Sequence, residues 1–320
     1  MAADCSAHPD PSVDVVAAAK SLVPLILAAR DEGEQIRRLP PDVAKALASA
    51  GLLQMFLPRS MGGPELAPLT VFRAIEEISK ADGPVGWCAM IGTAVSLALG
   101  WLPADVGRQF CGQPADFRCA GWLRPLGQAH PVDGGYRVQG HWNFASGIDY
   151  ANWLYCTCIV MEGDKPQMTT AGTPRVRAMW LPSDQATVQD TWSVVGMRGT
   201  GSQDFIVDDV FVPAAHSWFI GEPAVEAGPL YNRRLVFVTL FSTVAANSLG
   251  IARGAINAFI ELAARESSTA PQRFYGNAPS FRRAWLKRKL FSTPRVPMSS
   301  TLSEPYGRRS AAMPRTRALP

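Results

Sequence analysis

The sequence Gly-Met-Arg-Gly-Thr-Gly-Ser-Gln-Asp occupies residues 196–204 and runs directly into Phe-Ile-Val-Asp-Asp-Val-Phe-Val-Pro, residues 205–213. The closely spaced glycines indicate a turn, since glycine adopts backbone conformations that other residues avoid. The β-branched and aromatic residues that follow predict a strand, which Pro213 closes. The glycines are not followed by the Lys-Ser or Lys-Thr pair of a phosphate-binding P-loop. This stretch therefore predicts a turn that leads into a strand.

Strand signals continue on the N-terminal side of this stretch. Residues 136–139 alternate in polarity, and residues 153–160 are rich in β-branched and aromatic side chains. Asp-Gly-Gly at 133–135 is a strong turn signal between strands. Together these patterns predict a β domain over residues 113–215, either a small barrel or a sandwich.

Helical periodicity dominates residues 1–112, for which we predict an all-α domain. Pro41 suits the start of a helix and Gly51 suits its end. Residues 86–99 are apolar on almost every face, which predicts a buried helix. The predicted helices span residues 15–30, 41–50, 66–80 and 86–99.

The helical period returns after Gly228, and residues 231–265 predict one long helix that begins a C-terminal helical bundle over 228–272. Its most apolar part, Leu235 to Ala252, has the length of a membrane span. Polar residues such as Thr239 and Asn247 interrupt it, which favours a buried helix in a soluble protein. The order of helices, strands and helices predicts an α+β fold with a β domain between helical layers.

The formal net charge of +4 conceals two opposite parts of the chain. Residues 273–320 hold 11 of the 31 lysines and arginines but only Glu304 among the 27 acids, a net charge of 11 − 1 = +10. Residues 1–272 therefore carry 20 − 26 = −6. A region with this negative charge lacks the basic surface that nucleic acid requires, so a nucleic-acid partner is not expected.

The tail 273–320 breaks the pattern of the rest, because it combines six prolines with clustered basic residues and no apolar period. A disordered basic tail is one interpretation. Our hypothesis is a one-base frameshift near Gln272, since suitable codons for 285–296 would encode an amphipathic helix in another frame. In that case most of the C-terminal bundle is lost and the chain is truncated. The gene sequence across codons 265–290, read in all three frames, tests this.

The six cysteines show no Cys-x-x-Cys pair and no zinc spacing, which predicts reduced packing residues. Cys156 and Cys158 alternate on one predicted strand. Four scattered histidines support neither a metal site nor a Ser/His/Asp triad, and His141 is expected at the surface. No signal peptide is visible at the N-terminus, so the expected compartment is the cytoplasm, with no membrane partner.

Three strings give the chain a resemblance to the acyl-CoA dehydrogenase superfamily over residues 12–272. The first is Leu-Pro-Arg-Ser-Met-Gly-Gly-Pro-Glu at 57–65, which leads into a helix. The second is Gly-Tyr-Arg-Val-Gln-Gly-His-Trp-Asn-Phe-Ala-Ser-Gly at 135–147. The third and most specific is the turn at 196–204 with Asp-Asp-Val-Phe-Val-Pro at 208–213. The resemblance implies that superfamily's fold and a soluble flavin-dependent oxidoreductase.

The details favour one branch of this superfamily. Dehydrogenases usually carry Thr-Glu-Pro-x-Ala-Gly-Ser-Asp where this chain has Ala-Gly-Trp-Leu-Arg-Pro-Leu-Gly, residues 120–127. Trp-x-Phe-x-Ser-Gly at 142–147 is similar to the two-component flavin monooxygenases, such as aromatic and steroid-phenol hydroxylases and dibenzothiophene monooxygenase. Those enzymes take reduced flavin from a separate reductase and oxygenate aromatic or heteroatom substrates. FAD-dependent desaturation of an acyl-CoA stays open as an alternative, as does an inactive truncated product.

The resemblance places a flavin, FAD or FMN, against two segments and the glycine-rich turn. If 144–146 is extended, Phe144 and Ser146 point to the same side, as a ring wall beside a hydroxyl. The alternative is that Phe144 and Trp122 are sheet-core residues and that Ser146 only begins a turn. Arg198 could instead pair with a local acid such as Asp204. The candidate cofactor-binding residues are Gly121, Trp122, Leu123, Phe144, Ala145, Ser146, Arg198 and Ser202.

No catalytic base can be assigned. In the superfamily this residue usually lies in the C-terminal bundle, and where some members carry it the chain has Arg233 and Arg234. The resemblance further implies a homotetramer, although a shifted frame would remove most of that interface. A small-molecule substrate and a separate reductase are the expected partners, and no metal is expected.

Overall fold

The computed structural model describes residues 14–112 and 116–269, except for the side chains of Trp122 and of residues 263–269. Contacts group the chain up to Ile260 into one compact unit. Of the remainder, only Glu261–Thr269 is described, and it is helical. The frameshift near Gln272 and the basic tail lie outside the described residues. The boundaries of the predicted domains stay a prediction.

The N-terminal region is helical, and its ends follow the local sequence. Asp14 caps the first helix by accepting hydrogen bonds from the Val16 and Ala17 N–H groups at 3.0 and 3.1 Å. The single helix predicted over 15–30 is wrong in one respect, because it is divided at Ala29. The helices are α1 (Val15–Ala28), α2 (Arg30–Ile36), α3 (Pro41–Ser49), α4 (Pro68–Ala81), α5 (Gly83–Ser96) and α6 (Ala104–Cys111).

Helix α5 lies deep in this layer, as its uniformly apolar sequence predicts. The Asp82 carboxylate caps it by accepting from the Val85 N–H at 3.0 Å. Helices α4 and α5 approach so closely that a Cβ at Gly86 would lie 1.9 Å from Ser79 Oγ. Residue 86 therefore has to be glycine for this packing.

One mixed sheet follows the helices, with strand order β6-β7-β2-β1-β3-β5-β8 and β4 beside β3. Strands β1 and β3 are parallel and the other pairs are antiparallel. In its core Trp142 stacks on Phe205 with ring centroids 5.1 Å apart. The strands are β1 (Cys119–Val132), β2 (Gly135–Ala145), β3 (Trp153–Glu162), β4 (Lys165–Pro166), β5 (Val176–Pro182), β6 (Thr187–Gln189), β7 (Gln203–Pro213) and β8 (Ser217–Phe219).

The last described element is α7 (Val236–Thr269), the long helix that the sequence predicts. On its inner face the Asn247 side-chain amide donates to Ser79 Oγ at 2.9 Å and to the Gly83 carbonyl at 3.0 Å. Its outer face is exposed, with Phe241 at 68%. The interpretation as a buried helix is therefore wrong for this face, which covers no other described element.

Within the described part of the chain, two helical stretches are long and apolar enough to cross a membrane by length and composition, Gly83–Trp101 and Val236–Leu262. Most of the first is buried within the protein, as in the core helix of a soluble protein, whereas the second is 33% buried. The five described cysteines are all buried free thiols, as the sequence predicts. Burial raises the pKa of Cys88 and of Cys111 to about 12.

Candidate functional site

The candidate site lies where β2 ends, beside the turn that precedes β7. The ladder between β2 and β7 loses its regular register between Trp142 and Ala145. Within this bulge Phe144 has a φ of 61°, in the left-handed region. A non-glycine residue there carries backbone strain of roughly 1–2 kcal/mol. Such strain is concentrated at functional sites, where the surrounding structure holds it in place.

The bulge overturns the expectation that Phe144 and Ser146 point to the same side. Phe144 is 47% exposed, whereas Ser146 is 4% exposed. The Ser146 N–H turns back to donate to the Phe144 carbonyl at 2.9 Å. The segment is therefore a tight turn, and the alternation of an extended strand does not apply to it. Phe144 is also not the sheet-core residue that the alternative interpretation predicts.

Ser146 belongs to a buried chain of hydroxyl groups. The Trp87 indole N–H donates to Ser146 Oγ at 2.9 Å. Ser146 Oγ lies 2.7 Å from Ser202 Oγ, which lies 2.6 Å from Thr200 Oγ1. The Thr200 hydroxyl donates to the Met197 carbonyl at 2.9 Å. Helix α5, the end of β2 and the glycine-rich turn are thus joined by four consecutive hydrogen bonds.

Trp192 forms the other aromatic part of the site. Its ring meets the Phe144 ring edge to face, with centroids 6.0 Å apart. Its backbone N–H donates to Gln203 Oε1 at 2.8 Å, and its indole N–H donates to the Met197 carbonyl at 3.1 Å. Both ends of Trp192 are therefore fixed, and it supports the Phe144 ring from one side.

Arg198 holds the glycine-rich turn, but not through the acid that the sequence suggests. Its guanidinium donates to the Glu34 carbonyl at 3.0 Å and lies 3.4 Å from the Glu34 carboxylate. Asp204 instead contacts the ring of His141 at 2.9 Å. The pairing with Asp204 is wrong because the turn places Arg198 against α2. His141 is exposed, as expected.

Arg37 and Arg38, which directly follow α2, join the helical layer to the turns around the site. Arg37 pairs with Asp190 at 2.8 Å, and Arg38 pairs with Asp149 at 3.0 Å. The hydrogen bond from Arg37 lowers the pKa of Asp190. Burial raises the pKa of Asp149 although Arg38 opposes this change. Arg37, Arg38 and Arg198 thus tie α2 to two loops, the β2–β3 connection at Asp149 and the β6–β7 connection that holds Asp190 and Arg198.

The remaining candidates take different positions. Gly121 is buried against β3, where a Cβ would lie 2.0 Å from the Tyr155 carbonyl oxygen. Leu123 is 62% exposed, whereas Ala145 is fully buried in the sheet core. The side chain of Trp122 lies outside the described part. The structure therefore brings Ser146 and Ser202 together beside Phe144, while Arg198 serves the contact between α2 and the turn.

Sequence reasoning missed Trp87, Thr200 and Trp192. Trp87 lies half-buried in an apolar helix, where its sequence context indicates packing and gives no sign of a partner for its indole N–H. Thr200 stands between two glycines, which indicate a turn but say nothing about the partners of its hydroxyl group. Neither residue could be connected to Ser146 without the fold.

An exposed aromatic ring beside buried hydroxyls suits a flat, largely apolar ring system with a few polar atoms. The buried Asn143 Oδ1, next to Phe144 in the chain, has no hydrogen-bond partner within the described structure. The donor set does not suit a metal ion, and no cluster of metal-ligating side chains occurs in residues 14–112 and 116–269.

Residues 16–108 match the acyl-CoA dehydrogenase N-terminal domain. The chain is 30% identical over 248 residues to the oxygenase subunit HsaA of a flavin-dependent monooxygenase from Rhodococcus jostii, covering 75% of this chain and 63% of that protein. It is 29% identical over 264 residues to the oxygenase component of an FADH2-dependent resorcinol hydroxylase from Rhizobium sp., covering 80% and 63%. The chain thus spans less than two thirds of these relatives.

The fold has solved counterparts. The crystal structure of the HsaA monooxygenase from M. tuberculosis superposes with a TM-score of 0.75 at 28% identity, covering 87% of this chain and 73% of that one. This superposition includes both the helical layer and the sheet, since neither alone accounts for that coverage. The chain therefore carries an acyl-CoA dehydrogenase N-terminal domain, and it has the fold of the flavin-dependent monooxygenases that are related to the acyl-CoA dehydrogenases.

Proposed function

We propose that this chain is the oxygenase component of a two-component monooxygenase, which uses reduced FAD or FMN and O2 to oxygenate an aromatic or heteroatom-containing small molecule. The similarity to two named oxygenase components carries the proposal, because it extends through the helical layer and the sheet. The strained, exposed Phe144 beside the buried Ser146 supports it with an aromatic surface next to a polar group.

The residues present fit a flavin by their chemistry. Phe144, supported by Trp192, offers an aromatic wall, and Leu123 offers a further exposed apolar side chain. Ser146 provides a polar atom that Trp87 and Ser202 hold in place. Arg198 keeps the glycine-rich turn against α2. When bound, reduced flavin supplies the electrons that activate O2. The protein orients the ring and keeps water from it.

A reductase partner, an oligomeric state and a compartment complete the proposal. A separate reductase supplies the reduced flavin, as the names of oxygenase subunit and oxygenase component imply for those proteins. The chain forms a homo-oligomer, a tetramer by resemblance, in the cytoplasm. The exposed apolar side chains of α7 support association, because such patches are uncommon on monomers.

Acyl-CoA desaturation is the second candidate, and the N-terminal domain match is compatible with it. The named relatives are monooxygenases and hydroxylases, which favours oxygenation. The segment 120–127 also lacks the sequence usual in dehydrogenases.

The test combines binding and turnover. The purified chain is titrated under anaerobic conditions with reduced FMN and reduced FAD, and is then mixed with ¹⁸O2 and resorcinol as an aromatic probe. We expect saturable binding of reduced flavin and incorporation of one ¹⁸O atom into the product. Bleaching of bound FAD by an acyl-CoA, without oxygen incorporation, would instead establish the dehydrogenase. A colourless chain that binds neither flavin would contradict both and would leave the inactive product.

A further inference from the structure

Arg37 directly follows α2 and has a left-handed backbone, with a φ of 59°. Glycine adopts this conformation freely, whereas an arginine is strained in it. Such strain persists only where the surrounding contacts hold the residue in place. The side chain of Arg37 is partly buried and makes its contacts with the connection between β6 and β7. These contacts offset the strain, and they lie beside the candidate site.

The guanidinium group of Arg37 reaches two acceptors through two different nitrogen atoms. Nη1 donates to the Trp192 carbonyl at 3.0 Å, and Nη2 donates to the Asp190 carboxylate at 2.8 Å. The Asp190 side chain is 69% exposed, and an ion pair so open to water contributes little stability. Among the residues that the structure describes, no other group donates to the Trp192 carbonyl. The bond to Trp192 is therefore the contact that Arg37 alone supplies.

Trp192 is held on both sides of its Cα atom. Its N–H donates to Gln203 Oε1 at 2.8 Å, which fixes the peptide plane before it, and Arg37 holds the carbonyl of the plane after it. The N–H of that second plane, from Ser193, donates only to the Thr191 carbonyl within the same segment. Because peptide units are planar, fixing both planes fixes φ and ψ at Trp192. Arg37 thus helps to set the direction in which the ring leaves the backbone.

The direction of the Trp192 ring matters because this ring supports Phe144. The two rings meet edge to face with centroids 6.0 Å apart, a contact that depends on both distance and angle. On the solvent side the segment offers no packing that could replace Arg37, since Val195 is fully exposed. A turn of the Trp192 backbone would therefore withdraw the support of the exposed Phe144 ring.

We propose that Arg37 is a positioning residue of the flavin site, which fixes the Trp192 ring against Phe144 and thereby orients the aromatic wall for the flavin. The inference rests on the proposed function. A wall that is already oriented binds more tightly, because the ligand does not have to order it. Arg37 acts through Trp192, so the end of α2 contributes to flavin binding through one hydrogen bond to a backbone carbonyl.

The test is the dissociation constant for reduced FMN, titrated anaerobically with the full chain. Arg37→Met keeps an unbranched side chain but removes both hydrogen bonds, and we expect about tenfold weaker binding. In a Trp192→Ala background the same substitution should change the constant by less than about twofold, because the ring through which Arg37 acts is gone. Asp190→Asn still offers an oxygen to Arg37 and should also change it by less than about twofold.

A second measurement reports on Trp192 without flavin. In the chain labelled with 5-fluorotryptophan, the ¹⁹F resonance of Trp192 is identified by its loss in Trp192→Ala. We expect this resonance to shift in Arg37→Met. Arg37→Lys keeps the charge but replaces the two-pronged guanidinium by a single ammonium group, so it should shift the resonance and weaken binding about threefold. This variant carries the test if Arg37→Met does not fold.

Arg137→Met is the matched control. Arg137 also joins a backbone carbonyl and an aspartate, because its Nη1 donates to the Asp209 carbonyl at 2.7 Å and lies 3.7 Å from the Asp209 carboxylate. It lies near the opposite end of β2 from the site, so neither FMN binding nor the Trp192 resonance should change.

Three outcomes would overturn the inference and leave the proposed function intact. These are unchanged FMN binding in Arg37→Met and Arg37→Lys, a loss of the same size in the Trp192→Ala background, and an equal loss in Asp190→Asn or Arg137→Met. Failure of the unmodified chain to bind reduced FMN would overturn both the inference and the proposed function.

Discussion

Ser146 Oγ and Ser202 Oγ lie 2.7 Å apart in a buried contact, although the two residues are 56 positions apart in the chain. This contact joins the end of β2 to the turn before β7, the two segments that form the candidate site. Each hydroxyl also has a second partner, Trp87 or Thr200. The contact is therefore expected to contribute to folding as well as to binding.

Ser146→Ala and Ser202→Ala should each lower the free energy of unfolding by about 1–2 kcal/mol, because each leaves a buried partner unsatisfied. In the double variant the two losses should not add, and the coupling should be about 1 kcal/mol. Urea unfolding of the four proteins measures this. Additive losses would show that the two hydroxyls do not interact.

Replacing Phe144 by glycine should destabilise the protein less than replacing it by alanine. Both substitutions remove the ring and its contact with Trp192, but only glycine relieves the left-handed backbone. We expect Phe144→Gly to be more stable than Phe144→Ala by about 1 kcal/mol, and both to bind reduced FMN more weakly. Urea unfolding and anaerobic titration provide the two measurements. Equal stability of the two variants would mean that the backbone strain has no energetic weight.

Gly121→Ala should destabilise the sheet strongly, because the new methyl group would lie 2.0 Å from the Tyr155 carbonyl oxygen. Strand β1 would have to move away from β3, at a cost of about 3 kcal/mol. Gly196→Ala is the matched control, since no atom lies within 4 Å of its added Cβ. It should change stability by no more than about 0.5 kcal/mol. Comparable thermal stability of the two variants would contradict this packing.

Asp82 provides a pH-dependent prediction. Burial raises the pKa of its carboxyl group, although the Val85 N–H and Arg30 oppose this. A carboxyl group with a raised pKa contributes most at low pH, and its contribution is lost as the pH rises through the folded-state pKa. Wild type should therefore gain stability relative to Asp82→Asn as the pH falls from 7 through that pKa.

The Asp82→Ala variant isolates the capping role of the same residue. Asparagine can still accept from the Val85 N–H, whereas alanine cannot. Asp82→Ala should therefore be about 1 kcal/mol less stable than Asp82→Asn at every pH. Thermal unfolding from pH 4 to pH 8 tests both statements. A parallel pH dependence of wild type and Asp82→Asn would contradict the first.

The exposed apolar face of α7 predicts that two copies of the chain associate through it. If a second copy covers its outer face, the melting temperature should rise with protein concentration. Phe241→Gln should reduce this dependence, because Phe241 is 68% exposed on that face. Phe211→Gln, at an exposed phenylalanine of the sheet, is the control. A melting temperature independent of concentration, with a monomeric mass by light scattering, would exclude self-association through α7.

The sequence predicts the elements of this fold better than it predicts the site. Helix α3 has its glycine stop at Gly51, with a left-handed φ of 70°, because this signal is local. The outer face of α7 could not be predicted, since apolar periodicity does not show whether another surface covers it. The exposed position of Phe144 could not be predicted for a related reason. A bulge depends on the register between β2 and β7, which the sequence of one strand does not contain.

The hydroxyl chain likewise combines residues that the sequence identifies with contacts that only the fold determines. Ser146 and Ser202 follow from the resemblance, one residue at a time. Their contact with each other, and the part played by Trp87, depend on the packing of α5 against the sheet. Arg198 makes the same point, because its partner Glu34 is 164 positions away while Asp204 is only six residues distant in the sequence.

Helix α2 and the loops around the site are held together by ion pairs whose arginines retain contact with water. Dissolved salt screens such pairs over distances of about 10 Å at 0.1 M. Ionic strength should therefore loosen this contact before it affects the apolar core. In concentrated sodium chloride the loops at Asp149 and Asp190 would become the first sites of proteolytic cleavage, while the strands beneath them stay protected.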